Sequence, residues 1–180
     1  MQTLLSKINS GAYRIPVFQR NYVWKKKDVI RLMDSIFHDY PTGALLILAD
    51  VDKKIGLDSK PFYGVTNPPD ECKYYVLDGQ QRLTSCYHVF YDKGKSYRYF
   101  IDLHKLFNVW KDSNGDNDAI DFSSCVKTKG PKANTDEISG CDLPFSLIRT
   151  QESFSKQRVA FADKMKKQGE NRKSSSNSLR

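Results

Sequence analysis

The chain of 180 residues is 39% hydrophobic and 12% aromatic, enough for a globular body without disulfide staples and too aromatic for a disordered polar chain. Its formal charge of +8 points toward nucleic acid only until it is located: residues 149–180 carry 9 basic and 3 acidic side chains, leaving 20 against 18 in residues 1–148. Cys72, Cys86, Cys125 and Cys141 form no Cys-x-x-Cys pair or zinc-spaced set, which suits free thiols in a reducing cytoplasm, and no apolar run reaches the length of a membrane span or signal peptide.

In chain order, the first informative segment is Ile15-Pro16-Val17-Phe18-Gln19-Arg20-Asn21-Tyr22-Val23-Trp24, where aromatic and polar residues alternate behind a proline and predict a strand with one packed face. Lys25-Lys26-Lys27 reads as a solvated run, although cations at a helix start leave room for an anionic partner such as a DNA phosphate. Val29, Leu32, Met33, Ile36, Phe37 and Tyr40 recur at helical spacing, so an amphipathic helix is predicted over 28–40, stopped by Tyr40-Pro41-Thr42-Gly43. The apolar run Ala44 to Ala49 predicts a strand covered on both faces, and about 20 turn-rich residues follow it.

A second run, Tyr74-Tyr75-Val76-Leu77, breaks at Asp78-Gly79 into a helical pattern carried by Leu83, Cys86, Tyr87 and Phe90, a strand-turn-helix unit. Residues 97–104 alternate as a half-buried strand should, with Tyr97, Tyr99, Ile101 and Leu103 on one face. Residues 112–142 read as a polar loop or insertion. Leu143 to Ile148 is a short apolar element, Phe154, Arg158, Phe161 and Met165 line one side of a predicted helix, and Asn171 to Arg180 has the composition of a disordered tail.

The chemistry concentrates at Asp78-Gly79-Gln80-Gln81-Arg82. A carboxylate at a strand's carboxyl end, a glycine turn and an immediate helix start can grip anions: the first helix amides point outward, the dipole favours negative charge, and Arg82 adds a forked donor. Asp78 suits Mg2+ or a nucleotide hydroxyl, and Gln80 or Gln81 suits amide donation or the orienting of a water. The competing reading makes Asp78 an ordinary helix N-cap. Two other clusters imitate metal sites: Asp58 with Glu71-Cys72-Lys73 has a nuclease-like composition in a loop context, and Asp112, Asn114, Asp116 and Asp118 imitate a calcium loop but have Ser123 where the closing Glu belongs. Solvated charges and a turn-rich loop are the plainer readings.

Together, Ile-Pro-x-Phe-Gln-Arg-x-Tyr-x-Trp and Asp-Gly-Gln-Gln-Arg-Leu-Thr, with Tyr-Pro-Thr-Gly between them and Leu143-Pro144-Phe145-Ser146-Leu147 downstream, resemble the N-terminal domain of the GmrSD-type modification-dependent restriction endonucleases over about residues 8–165. The resemblance implies an α/β fold of ParB/sulfiredoxin-like type, a mixed sheet with flanking helices. It implies binding and hydrolysis of a nucleoside triphosphate, GTP or another, with Mg2+: Asp78, Gln81 and Arg82 as catalytic residues, Asp78 as the metal ligand, and Arg20, Gly79, Gln80 and Arg82 at the nucleotide, lined by Tyr22 and Trp24. The implied partners are DNA through the full-length protein and a His-Asn-His-type nuclease domain or subunit; a homodimer is compatible, and no membrane is involved. His38, His88 and His104 lack the spacing of that nuclease and read as satisfied structural histidines. The expected organisation is a nucleotide-binding domain over 1–148, a helix over 149–170 opening a truncated helical region, and a basic tail over 171–180. The alternative function is a DNA-binding or DNA-sensing module without hydrolysis, and direct nuclease action ranks behind both.

Overall fold

A computed structural model describes residues 2–149 except 53, 70–72 and 137–139, and beyond them only the single positions 152, 155, 156, 159 and 162. The predicted helix face at Phe154, Arg158, Phe161 and Met165, the tail over 171–180, and Glu71 and Cys72 lie outside the described residues.

The fold is α/β, with a four-stranded mixed sheet, a three-stranded antiparallel sheet and four helices among the described residues. The first helix, α1 (Gln2–Asn9), precedes β1 (Tyr13–Pro16) and buries Leu5 and Ile8, one helical turn apart. Helix α2 (Lys26–Phe37) starts where Asp28 accepts the Lys25 amide at 2.9 Å, and it buries Val29, Leu32 and Met33, as the spacing predicts. Strands β2 (Leu46–Ala49), β3 (Ser59–Pro61) and β4 (Tyr74–Asp78) complete the first sheet in the order β2-β4-β1-β3. In it β1 runs parallel to β4, and the other pairings are antiparallel.

Helix α3 (Gln80–Phe90) leaves β4 through Gly79 and is sunk into the core, with Leu83, Cys86, Tyr87 and Val89 buried. Strand β5 (Arg98–Asp102), helix α4 (Leu103–Asp112), β6 (Val126–Lys129) and β7 (Asp142–Pro144) build the second sheet, ordered β6-β5-β7. A single hydrophobic cluster joins residues of both sheets, from Leu5 and Val76 to Ile101 and Phe145. Among the described residues no helix is long and apolar enough to cross a membrane, and the described cysteines Cys86, Cys125 and Cys141 are free.

Four expectations change. The segment Ile15–Trp24 is a strand only as far as Pro16; it then turns away from the sheet, because the Gln19 side chain bonds to β4 and the Tyr22 hydroxyl and Val23 amide bond to α3 instead of continuing a ladder. Strand β2 is an edge strand, paired only with β4, and Leu46 is 58% exposed where coverage on both faces was expected. Strand β5 is the centre of its sheet, buried at Tyr99, Phe100 and Ile101, and the chain turns helical at Leu103 because Asp102 caps α4 by accepting the Lys105 amide at 3.0 Å. The polar region 112–142 contains β6 and the buried Ile120, Phe122 and Cys125, so it closes the second sheet and is no mere insertion.

Candidate functional site

The β4-α3 junction is a left-handed turn. Gly79 has a φ of 86° and occupies the N-cap position, where no side chain caps the helix. Asp78 is therefore not the N-cap: its exposed carboxylate meets Arg82 Nη2 at 3.2 Å. The uncapped first turn keeps its partial positive charge available to an anion.

Arg82 turns its fork to the chain before β2. Nη1 donates to the Thr42 carbonyl at 2.6 Å and Nη2 to the Ala44 carbonyl at 2.7 Å, holding the Pro41-Thr42-Gly43 bend against α3. A Cβ at Gly43, where φ is 89°, would stand 2.7 Å from Nη1, and one at Gly79 would overlap Leu45 Cδ2. The two glycines thus give the guanidinium its slot.

Gln81 is engaged with the other flanking loop. Its Oε1 accepts the Val23 amide at 2.9 Å and its Nε2 donates to the Asn21 carbonyl at 3.1 Å, so one carboxamide satisfies two backbone groups of the 20–25 loop. Gln19 fastens the loop's beginning, donating to the carbonyls of Val76 and, at 2.9 Å, Leu77. Tyr22 fastens its middle through a 2.9 Å bond to the Ser85 hydroxyl; its burial is the main reason its phenol pKa is raised.

Two motif residues stay available. The exposed side chain of Arg20 makes no hydrogen bond or ion pair with the described residues, and the side chain of buried Gln80 has no hydrogen-bond partner among them. The first motif thus supplies an open cation beside the uncapped helix start, and the second supplies an unspent carboxamide.

Seven of the eight expected site residues line one groove of about 270 Å3: Arg20, Trp24, Asp78, Gly79, Gln80, Gln81 and Arg82. Tyr22 lies behind them in a larger cavity of about 1090 Å3, and Trp24 and Gln80 belong to both walls. Gln19 also lines the groove; it stood in the first motif beside Arg20 but no pattern distinguished it. The larger cavity combines the rings of Tyr22, Trp24, Tyr63 and Tyr97 with Lys25, Lys26, Lys60 and Lys95, and no carboxylate among the described residues lines it. Nothing in the local sequence marks that cavity, because its wall is drawn from segments as far apart as Ile15 and Tyr99.

Asp78 is the groove residue that could hold a metal ion. Among the described residues it is the one carboxylate lining the groove, and they contain no group of three His, Cys, Asp or Glu side chains placed to hold a metal. Mg2+ commonly uses one or two carboxylates together with substrate phosphates and water. Among the imitations, Asp116 caps a short 3-10 turn by accepting the Asp118 amide at 3.0 Å, which gives the calcium-like sequence a structural use.

The histidines differ. Both nitrogens of His38 face carbonyls, of Asp34 and Ile120, at 2.9 Å each, whereas His88 Nε2 is buried without a partner and so is not the satisfied histidine expected. His104 lies on α4 beside Asn108.

The model of one family, described as the GmrSD restriction endonuclease N-terminal domain, matches residues 1–178. An uncharacterized protein of Methanocaldococcus jannaschii is 33% identical over 120 residues, a match covering 57% of this chain and 20% of that protein. The chain thus spans about a fifth of the length of that curated relative.

Proposed function

The chain belongs to the GmrSD restriction endonuclease N-terminal domain family, and we propose that within a modification-dependent, anti-phage restriction system it is the module that binds and hydrolyses a nucleoside triphosphate. One juxtaposition carries this reading: the uncapped start of α3, the free cation of Arg20 and the exposed carboxylate of Asp78 meet at a groove that opens beside a lysine-rimmed aromatic cavity. The groove lies at the carboxyl end of β4, an inner strand of the first sheet, which supports reading it as a ligand site.

In this reading the phosphates lie against the first turn of α3, where amides, helix dipole and Arg20 offset their charge. Asp78 is the protein's ligand for Mg2+, which when bound neutralises charge on the phosphates. Gln80, with its carboxamide unspent, orients the attacking water: oxygen bonds to the terminal phosphorus, the bond to the bridging oxygen breaks, and the water's proton ends on phosphate. Gln81 and Arg82 serve by holding the loops on either side. Hydrolysis then gates DNA cleavage by a His-Asn-His-type nuclease segment or subunit in the cytoplasm.

Calorimetry on the chain with the four nucleoside triphosphates and Mg2+ tests this. Binding is expected, weakened by Arg20→Ala and by Asp78→Ala. If no triphosphate binds while DNA does, with an affinity that falls steeply with salt and survives Asp78→Ala, the chain is a DNA-sensing module and the reading is wrong.

A further inference from the structure

The larger cavity has two buried polar atoms in its wall residues that nothing in the described structure satisfies: Thr84 Oγ1 and His88 Nε2. Both residues belong to α3, one helical turn apart, and are 2% and 8% exposed. An orphaned polar atom in a protein interior is unfavourable and rare, and two on residues that line one cavity call for a ligand.

The histidine narrows what the ligand must bring. Burial pushes the imidazole down to about 4, so at neutral pH the ring is uncharged and carries one N–H and one lone pair. The missing partner is thus a hydrogen-bonding edge, and the Thr84 hydroxyl can likewise donate or accept.

The surroundings specify the rest of the ligand. Tyr22 and Tyr63 stand edge-on to the imidazole at centroid distances of 5.2 and 5.8 Å, and Trp24, Tyr97 and Tyr99 extend the aromatic wall. Lys60 and Lys95 add positive charge, and Lys26 lies 5.6 Å from the centre of the Tyr97 ring. A planar ring with a hydrogen-bonding edge and an anionic end matches each feature, and the walls shared through Trp24 and Gln80 let one molecule reach the α3 groove as well.

We propose that this cavity is the base-and-sugar subsite of the triphosphate whose phosphates lie at the start of α3, and that Thr84 and His88 select the base by its hydrogen-bonding edge. This rests on the preceding reading of the α3 groove as the phosphate site. The Tyr22 and Tyr63 rings that cover His88 are then the groups that yield to the incoming base.

The test is calorimetry on the full chain with ATP, GTP, CTP, UTP and inorganic tripolyphosphate, each with Mg2+. His88→Phe and Thr84→Val are expected to shrink the affinity ratio between the best and worst nucleotide about tenfold while leaving tripolyphosphate binding unchanged. Because either buried substitution can harm folding, Tyr97→Ser at the half-exposed mouth is the second probe: it should weaken all four nucleotides and spare tripolyphosphate. Tripolyphosphate bound as tightly as every nucleotide, or ratios and affinities unmoved in the folded variants, overturns the base subsite and leaves the phosphate site standing. Failure of the parent chain to bind any of the five overturns both.

Discussion

Arg82 and Gly43 are fitted to each other: the glycine's missing side chain leaves room for the guanidinium, which bonds the carbonyls on either side of it, those of Thr42 and Ala44. A residue of the first turn of α3 thereby fixes a bend 40 positions earlier in the chain. The start of α3 and the bend before β2 are consequently one mechanical unit.

Arg82→Ala should therefore cost stability, about 1–3 kcal/mol, since it leaves two carbonyls without their donors. Gly43→Ala should cost a similar amount from the opposite side, through its positive φ and the crowding of Nη1. Arg20→Ala, with no partner to lose among the described residues, should change stability by no more than about 0.5 kcal/mol. Urea denaturation of the three variants checks the ranking; an Arg20 variant less stable than the Arg82 variant would contradict it.

Gln81 makes a different prediction, about motion. With its carboxamide removed, the Val23 amide loses its 2.9 Å acceptor and the 20–25 loop loses its central tie to α3. Amide hydrogen exchange at Val23 should speed up at least tenfold in Gln81→Ala, while amides in the centre of α3 keep their protection. Equal exchange at Val23 in both proteins would show that Gln19 and Tyr22 suffice to hold the loop.

Gly79→Ala combines strain with overlap. The left-handed φ costs an alanine roughly 1–2 kcal/mol, and the overlap with Leu45 Cδ2 adds to it. Its midpoint in denaturant should lie below that of Gly43→Ala, because Leu45 carries the edge strand's entry and Arg82 also borders the added carbon.

His38 and His88 should oppose each other in acid. Burial lowers His88 to about 4, so between the ordinary value of 6.5 and that value the unfolded chain binds a proton the folded chain refuses. Stability therefore falls as pH drops through that window, by at most roughly 3 kcal/mol. His38 is raised, chiefly by its bond to the Asp34 carbonyl, because donating to two carbonyls requires the imidazolium. Its contribution is complete below 6.5 and disappears as pH rises through its folded value. Between about pH 7 and 5, His88→Gln should lose less stability than the parent and His38→Gln more. Parallel curves for all three would refute the assignment.

Several elements could be read from residue order because their determinants are local. The face of α2 follows from the spacing of Val29, Leu32 and Met33, and the strand-turn-helix at Asp78 and Gly79 follows from an apolar run broken by a glycine before a helical pattern. The elements that escaped reading are short or depend on distant partners. Strand β6 is four residues with alternating lysines, and it exists because β5 offers it a ladder. The exposure of β2 follows from its place at the sheet edge, which its apolar run alone does not encode.

The same division runs through the site. Residue order alone brought Asp78 to Arg82 together at the β4-α3 turn, because a motif keeps its members within one turn of backbone, whereas the approach of Arg20 and Trp24 was implied only by the resemblance of the paired motifs. Folding settled what each side chain is engaged with. Hydrogen-bond partners such as Thr42 for Arg82 and Val23 for Gln81 lie about 40 and 58 positions away, and their geometry arises only when the chain closes on itself. Thr84 and His88 take on meaning in the same way: in the sequence they are two polar residues on a helix, and packing leaves one polar atom of each buried and without a partner among the described residues, in the wall of a cavity lined by tyrosines and lysines.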